Sequence, residues 1–279
     1  MTSGSEIEPF LFRHAQHEPD SDAVCIKDPT IRYGNRVAVN SITLTVPTGE
    51  RLAIVGPNGA GKTTLFKAIS GMIEPSEGKV SIFGFPPRRH ACIAYLVQRR
   101  AIDWNFPVTV YDVVMMGRIR KIGFFRKSRA KDRKIVEDCL EMVGLTALAR
   151  RQIGELSGGQ QQRMFIARAL AQEAEVMLLD EPLNGLDNRT QHELIHLLEE
   201  LSDRNVTILV ATHDLDLAAA HFDRILLLNH KLIACGPPSE VFRPALLTAT
   251  FGHHARTIET QEGLIVVNND ACVPEPPNE

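Results

Sequence analysis

The chain has 279 residues, 44% hydrophobic and 23% charged, a balance that lets a globular protein bury a sizeable core. A net charge of −3 gives no reason to expect a nucleic-acid partner, and no apolar run reaches the ~20 residues needed to cross a bilayer. Five scattered cysteines (Cys25, Cys92, Cys139, Cys235 and Cys272) lack C-x-x-C spacing, which suits a reducing compartment better than a disulfide framework. The N-terminus is polar and acidic and has no signal-peptide stretch. These features predict a cytoplasmic protein that meets a membrane only through a partner.

Residues 1–22 read as a loosely ordered arm. Short β-rich runs follow: AVCIKD, TIRYGN and VAVNSITLTV, closed by the turn PTGE. RLAIVG reads as a buried strand, because four consecutive residues are apolar. A glycine-rich loop and the helical run GKTTLFKAISGM come next. GKVSIFG and CIAYLVQ read as further strands. TVYDVVMMGR and RAKDRKIVEDCLEMVGL then carry helical periodicity, predicting a helical insert at about residues 99–160. Afterwards strand and helix alternate: GGQQQRMFIARALA, VMLLD, TQHELIHLLEEL, VTILVAT, a short helix, and the strands RILLLN and KLIACG. That alternation predicts an α/β domain around a largely parallel sheet. Residues 251–279 read as a frayed tail.

GPNGAGKTT (residues 56–64) fits G-x-x-x-x-G-K-[ST] between a predicted strand and a predicted helix, the context that the motif needs. Gly56, Gly59 and Gly61 let the backbone wrap, with Pro57, Asn58 and Ala60 between them, so that N–H groups converge on an anion. The helix start adds partial positive charge. Lys62 can reach β- and γ-phosphates, the Thr63 hydroxyl can ligate Mg²⁺, and Thr64 can donate to the α-phosphate side. In VMLLDE (residues 176–181) an apolar strand delivers two carboxylates to its end. Asp180 is placed to hold Mg²⁺, and Glu181, pointing elsewhere, to polarise an attacking water.

LSGGQQQR (residues 156–163) makes a second anion-binding helix start, which a single nucleotide site in one chain does not need. Together with residues 56–64 and 176–181, Gln98 and His213, it resembles the ATP-binding subunits of ABC transporters, over roughly residues 23–251 and in that family's order. The resemblance implies a phosphate-loop ABC-type ATPase domain at residues 23–250, with a β-subdomain and the helical insert. It implies ATP and Mg²⁺ as cofactors. It also implies a homodimer in which Ser157, Gly158, Gly159 and Gln160 close over the γ-phosphate of the opposite protomer. On the same grounds Tyr33 stacks on adenine, Gln98 contacts Mg²⁺ and senses a membrane permease, Asp187 links the two sites, and His213 contacts the γ-phosphate. The implied place is peripheral, on the cytoplasmic face of the inner membrane.

After Gln98 the pattern DW-x-FP-x-TV-x-DVV-x-MGR is similar to the subgroup serving manganese, zinc and iron importers, through Asp103, Trp104, Phe106, Pro107, Asp112, Val113 and Gly117. That implies a divalent metal as cargo, manganese first and zinc or iron next, and an extracytoplasmic metal-binding protein acting through the permease. A soluble ABC ATPase uncoupled from transport, or a subunit for another solute such as an iron chelate, is the alternative. Nine basic residues between positions 118 and 134 read as a solvated helix start, with nucleic-acid binding and permease or headgroup contact as the other readings. HELIH (residues 192–196) has the spacing of a zinc-hydrolase helix. It reads instead as an accident on an amphipathic helix whose apolar face is Leu194, Ile195, Leu197 and Leu198.

Overall fold

The computed structural model describes residues 17, 21–89, 92–97, 102–123 and 126–252, and the backbone of residues 255–260 and 263–268. β1 (Val24–Tyr33) is one long strand where the sequence suggests two runs. Asp28, at φ 48°, and a register shift against a later strand bend it without breaking it. The Asp28 carboxylate holds the bend by accepting from Ser41 Oγ (3.1 Å) and Thr43 Oγ1 (2.8 Å). The run VAVNSITLTV divides into β2 (Arg36–Val39) and β3 (Leu44–Val46).

The chain continues through β4 (Arg51–Val55), α1 (Lys62–Ile69), β5 (Glu77–Ile82) and β6 (Ile93–Leu96). The insert supplies α2 (Val110–Met116), α3 (Ile119–Ile122) and α4 (Ala130–Met142). Then come α5 (Gly158–Ala171), β7 (Val176–Asp180), α6 (Asn188–Asp203), β8 (Thr207–Thr212), α7 (Leu215–His221), β9 (Arg224–Asn229) and β10 (Lys231–Gly236). Two short helices, α8 (Pro238–Val241) and α9 (Pro244–Phe251), precede β11 (Ala255–Thr260) and β12 (Gly263–Asn268). These last two strands pair antiparallel, Ala255 opposite Asn268, so part of the expected frayed tail is a hairpin. Its β-branched runs, TIET and LIVV, favour extended pairing.

β1 is the middle of an antiparallel sheet, with β2 and β3 on one edge and β5 on the other. The main sheet has the order β10-β9-β4-β8-β7-β6, parallel except for β10. Alternate residues of its strands serve two cores, as the period of two requires. Leu52, Ile54, Leu178, Leu209 and Leu226 face α1 and the antiparallel sheet. Ala53, Val55, Leu179, Val210 and Leu227 face α4, α5 and α6.

Register decides what meets at the top of the sheet. Val55 pairs with Thr212, and Asp180 with Ala211. The loop after β4, the acid pair of β7 and His213 after β8 therefore leave the sheet at one level, on its carboxyl edge, where open α/β sheets bind ligands.

Candidate active site

The loop after β4 wraps because its glycines adopt backbone shapes that side chains oppose. Gly59 and Gly61 have φ of 81° and 102°. A Cβ on Gly56 would lie 2.0 Å from the carbonyl oxygen of Leu228, a backbone atom that cannot step aside. α1 then begins without a side-chain cap, so its first N–H groups face the hollow of the loop. Lys62 is buried there and donates to the carbonyls of Gly56 (2.6 Å) and Pro57 (3.1 Å). Burial lowers its pKa, while Glu181 and Asp180 pull it back up. A cavity of about 510 Å³ opens over this loop, bounded by residues 58–64 and by Tyr33, Arg36, Asp180, Glu181 and His230.

Asp180 accepts from Thr63 Oγ1 at 2.7 Å and from the Tyr95 hydroxyl at 3.2 Å. Burial raises its pKa, and the two hydroxyls and Lys62 offset this only in part. The Tyr95 hydroxyl is itself pushed up, by burial first and by Asp180 second, so it donates rather than ionises. Glu181 is the next residue, yet it sits at φ 51°, a left-handed conformation that costs on the order of 1–3 kcal/mol outside glycine. Its N–H still donates to Ala211, and its carboxylate has partners of its own. One oxygen accepts from Asn184 Nδ2 (2.8 Å), and the other lies 3.8 Å from His213 Nδ1.

A second constellation caps two helices. Ser157 and Gln160 form a reciprocal capping box at the start of α5, with bonds of 2.9 and 3.4 Å. Asp187 caps α6 by accepting from the Thr190 N–H (3.0 Å) and hydroxyl (2.7 Å), bonds that hold its carboxyl below the usual range. The two caps touch at one point: a Cβ on Gly159 would lie 2.1 Å from Thr190 Cγ2. None of these residues borders the cavity over the phosphate loop.

Residues 39–184 match the family model described as ABC transporter. The chain belongs to the ABC transporter family. It is 47% identical to the manganese transport system ATP-binding protein MntA of Synechocystis, over 82% of this chain and 90% of that one. It is 42% identical to the zinc transport system ATP-binding protein TroB of Treponema pallidum, over 82% and 87%. It is 44% identical to YfeB of Yersinia pestis, a chelated iron transport system protein, over 88% and 84%. Among solved structures it resembles a metal-chelate type ABC transporter in an inward-facing conformation, with a TM-score of 0.75 at 30% identity, over 88% of this chain and 96% of that one.

As an ABC subunit the chain binds and hydrolyses ATP and works with the membrane part of a transport system. No helix among the described residues is long and apolar enough to cross a membrane. Of the residues singled out in the sequence, Tyr33, the loop 58–64, Asp180 and Glu181 meet at the cavity, and His213 stands beside Glu181. Gln98 lies outside the described residues.

Sequence reasoning missed Arg36, Tyr95, Asn184 and His230. Only Asn184 left a signal, three residues beyond Glu181 in a turn-rich stretch. The helix carrying HELIH is committed elsewhere. Glu193 pairs with Arg163 and Arg189, His192 bonds the Asn188 carbonyl (2.7 Å), and His196 bonds Glu199 (3.1 Å).

Proposed function

We propose that this subunit powers the import of a divalent transition-metal ion, manganese first and zinc or iron next. It would act as a homodimer on the cytoplasmic face of the inner membrane, docked on an integral permease that is fed by an extracytoplasmic metal-binding protein. The observation that carries this reading is the segment after β6. Trp104 packs edge-on against Phe165 (5.9 Å between ring centres), while Phe106, Met116 and Ile119 stay exposed nearby in sequence. Exposed apolar side chains on a braced insert suit a docking surface. The manganese, zinc and iron transport relatives support the cargo class.

In this reading residues 23–250 form the ATP-binding domain, with residues 99–160 as its insert, residues 1–22 as an arm and residues 251–279 as a tail. Tyr33 stacks on adenine, residues 56–64 wrap the phosphates, and Lys62 neutralises the β- and γ-phosphates. The oxygen donors of Thr63 and Asp180 suit a hard cation, so these two residues, with Gln98, would hold Mg²⁺, which when bound offsets phosphate charge. Glu181, between Asn184 and His213, orients the attacking water. His213 contacts the γ-phosphate. Ser157, Gly158, Gly159, Gln160 and Asp187 serve the site of the opposite protomer. Their separation from the cavity of their own chain supports that assignment. Dimer closure on ATP and reopening after hydrolysis then drive the permease.

The test is radiotracer uptake in cells lacking the protein, with manganese, zinc and iron run beside amino acids and sugars. Uptake of one of these metals should fall, and growth should recover when that ion is supplied in excess. A defect confined to an organic solute would overturn the cargo while leaving the ATPase intact.

A further inference from the structure

The amino-terminal edge of the main sheet, opposite the ATP cavity, holds a second chemically distinctive cluster. Cys92 lies immediately before β6 and Glu175 immediately before β7, and His17 reaches them from the arm. One ligand atom from each, an imidazole nitrogen, the Cys92 sulfur and a Glu175 carboxylate oxygen, all lie within 4.8 Å of one another. Cys92 is 4% exposed and Glu175 5%. The His17 ring lies flat on Phe83, 3.7 Å between centres and 1° between planes. The Cys92 carbonyl accepts from the N–H groups of Glu175 (2.7 Å) and Val176 (3.0 Å), which fixes two of the three residues to each other.

The spacing bears on two arrangements, a direct ion pair and a shared ion. A charge-assisted N–H···O bond between imidazole and carboxylate closes to about 2.7–2.9 Å. Here His17 Nε2 and Glu175 Oε1 stand 3.5 Å apart. Two ligands bound at about 2.0–2.2 Å to one tetrahedral ion are separated by roughly 3.3–3.5 Å. The pair thus forms an ion pair at the distance that two ligands of one ion also keep.

We propose that His17, Cys92 and Glu175 bind a borderline-soft divalent ion of the zinc class, which fastens the N-terminal arm to the base of the main sheet. One thiolate and one imidazole select zinc over harder ions such as magnesium or manganese, which prefer all-oxygen sites. Three protein ligands leave the fourth tetrahedral position to water. Binding exchanges the Cys92 thiol proton for the ion, and the proton passes to solvent. Without a cation, burial and the Glu175 charge keep that proton on, with the thiol pushed up to about 12. The site uses none of the nucleotide residues and does not depend on the identity of the cargo.

The experiment uses the full chain, freed of metal by a chelator and dialysed, without nucleotide. Zinc chloride is titrated against a chromophoric chelator, and cobalt(II) is added in parallel as a spectroscopic substitute. One zinc per chain is expected, together with a thiolate-to-cobalt charge-transfer band. His17→Ala and Cys92→Ser should each weaken zinc binding by roughly tenfold or more, since even losing an outer partner of a ligand costs about 10–100-fold. Cys92→Ser should also lose the band, while the double substitution His192→Ala with His196→Ala should change neither. Should Cys92→Ser fail to fold, His17→Ala decides alone, because His17 lies in the arm before β1. The absence of stoichiometric binding at micromolar zinc overturns the proposal, as does undiminished binding by folded His17→Ala.

Discussion

Thr63 Oγ1 donates to Asp180 Oδ2 across 2.7 Å, tying the first turn of α1 to the end of β7 over 117 positions of sequence. The bond joins the phosphate loop to the acid pair before any nucleotide arrives. It leaves Asp180 buried, with its charge only partly compensated.

That burial has a signed consequence for stability. The unfolded carboxyl ionises near 3.8, and the native one above it. Between those values the native chain keeps a proton that the unfolded chain releases, so this group's contribution to stability falls as pH rises through the window. Asp180→Asn removes the charge but keeps an oxygen for Thr63 and Tyr95. The nucleotide-free variant should melt above the parent at neutral pH, with the gap shrinking toward about pH 4, and it should not hydrolyse ATP. Scanning calorimetry at two pH values checks this, and a gap that ignores pH would contradict the electrostatic account.

Glu181→Gln keeps the shape and the acceptor for Asn184 but loses the base. It should bind ATP while turnover drops about 10²–10⁴-fold. Sizing chromatography should show an ATP-dependent dimer that persists. Near-normal turnover would remove Glu181 from the proposed water-orienting role.

The contact between Gly159 and Thr190 predicts a paired effect. Gly159→Ala drives a methyl into Thr190 Cγ2 and should cost about 1–3 kcal/mol. Thr190→Ser removes that methyl and keeps the hydroxyl on Asp187, so the double variant should recover most of the loss. Thermal melts of the four-member cycle measure the coupling. Additive losses would mean that the helices do not meet at this point.

Trp104→Ala and Phe106→Ala should reduce metal uptake much more than the ATPase rate of the isolated subunit, because both belong to the proposed docking segment rather than the cavity. Uptake in vesicles, set against hydrolysis by the free subunit, reads the ratio. Parallel losses in both would place these residues in the ATPase core instead.

The phosphate loop was legible in the sequence because its information is local. Three glycines, a lysine and a threonine act through backbone conformations within nine consecutive positions. The buried strands were legible for the same reason, each being a short apolar run. What lay across the sheet was not. Tyr95 reaches Asp180 only because β6 and β7 pair in parallel, Tyr95 beside Leu178, with 85 positions between the two residues. β1 read as two runs, AVCIKD and TIRYGN, on either side of Pro29, which cannot donate to a ladder, but Ser41 and Thr43 bond the Asp28 carboxylate beside it and one strand runs through. His17 in the arm gave no hint of Phe83, Cys92 or Glu175. Local periodicity and turn chemistry decide which elements form, since they set backbone conformation residue by residue. Which side chains meet was decided only by strand order and register, because one parallel pairing aligns residues that no spacing in the chain relates.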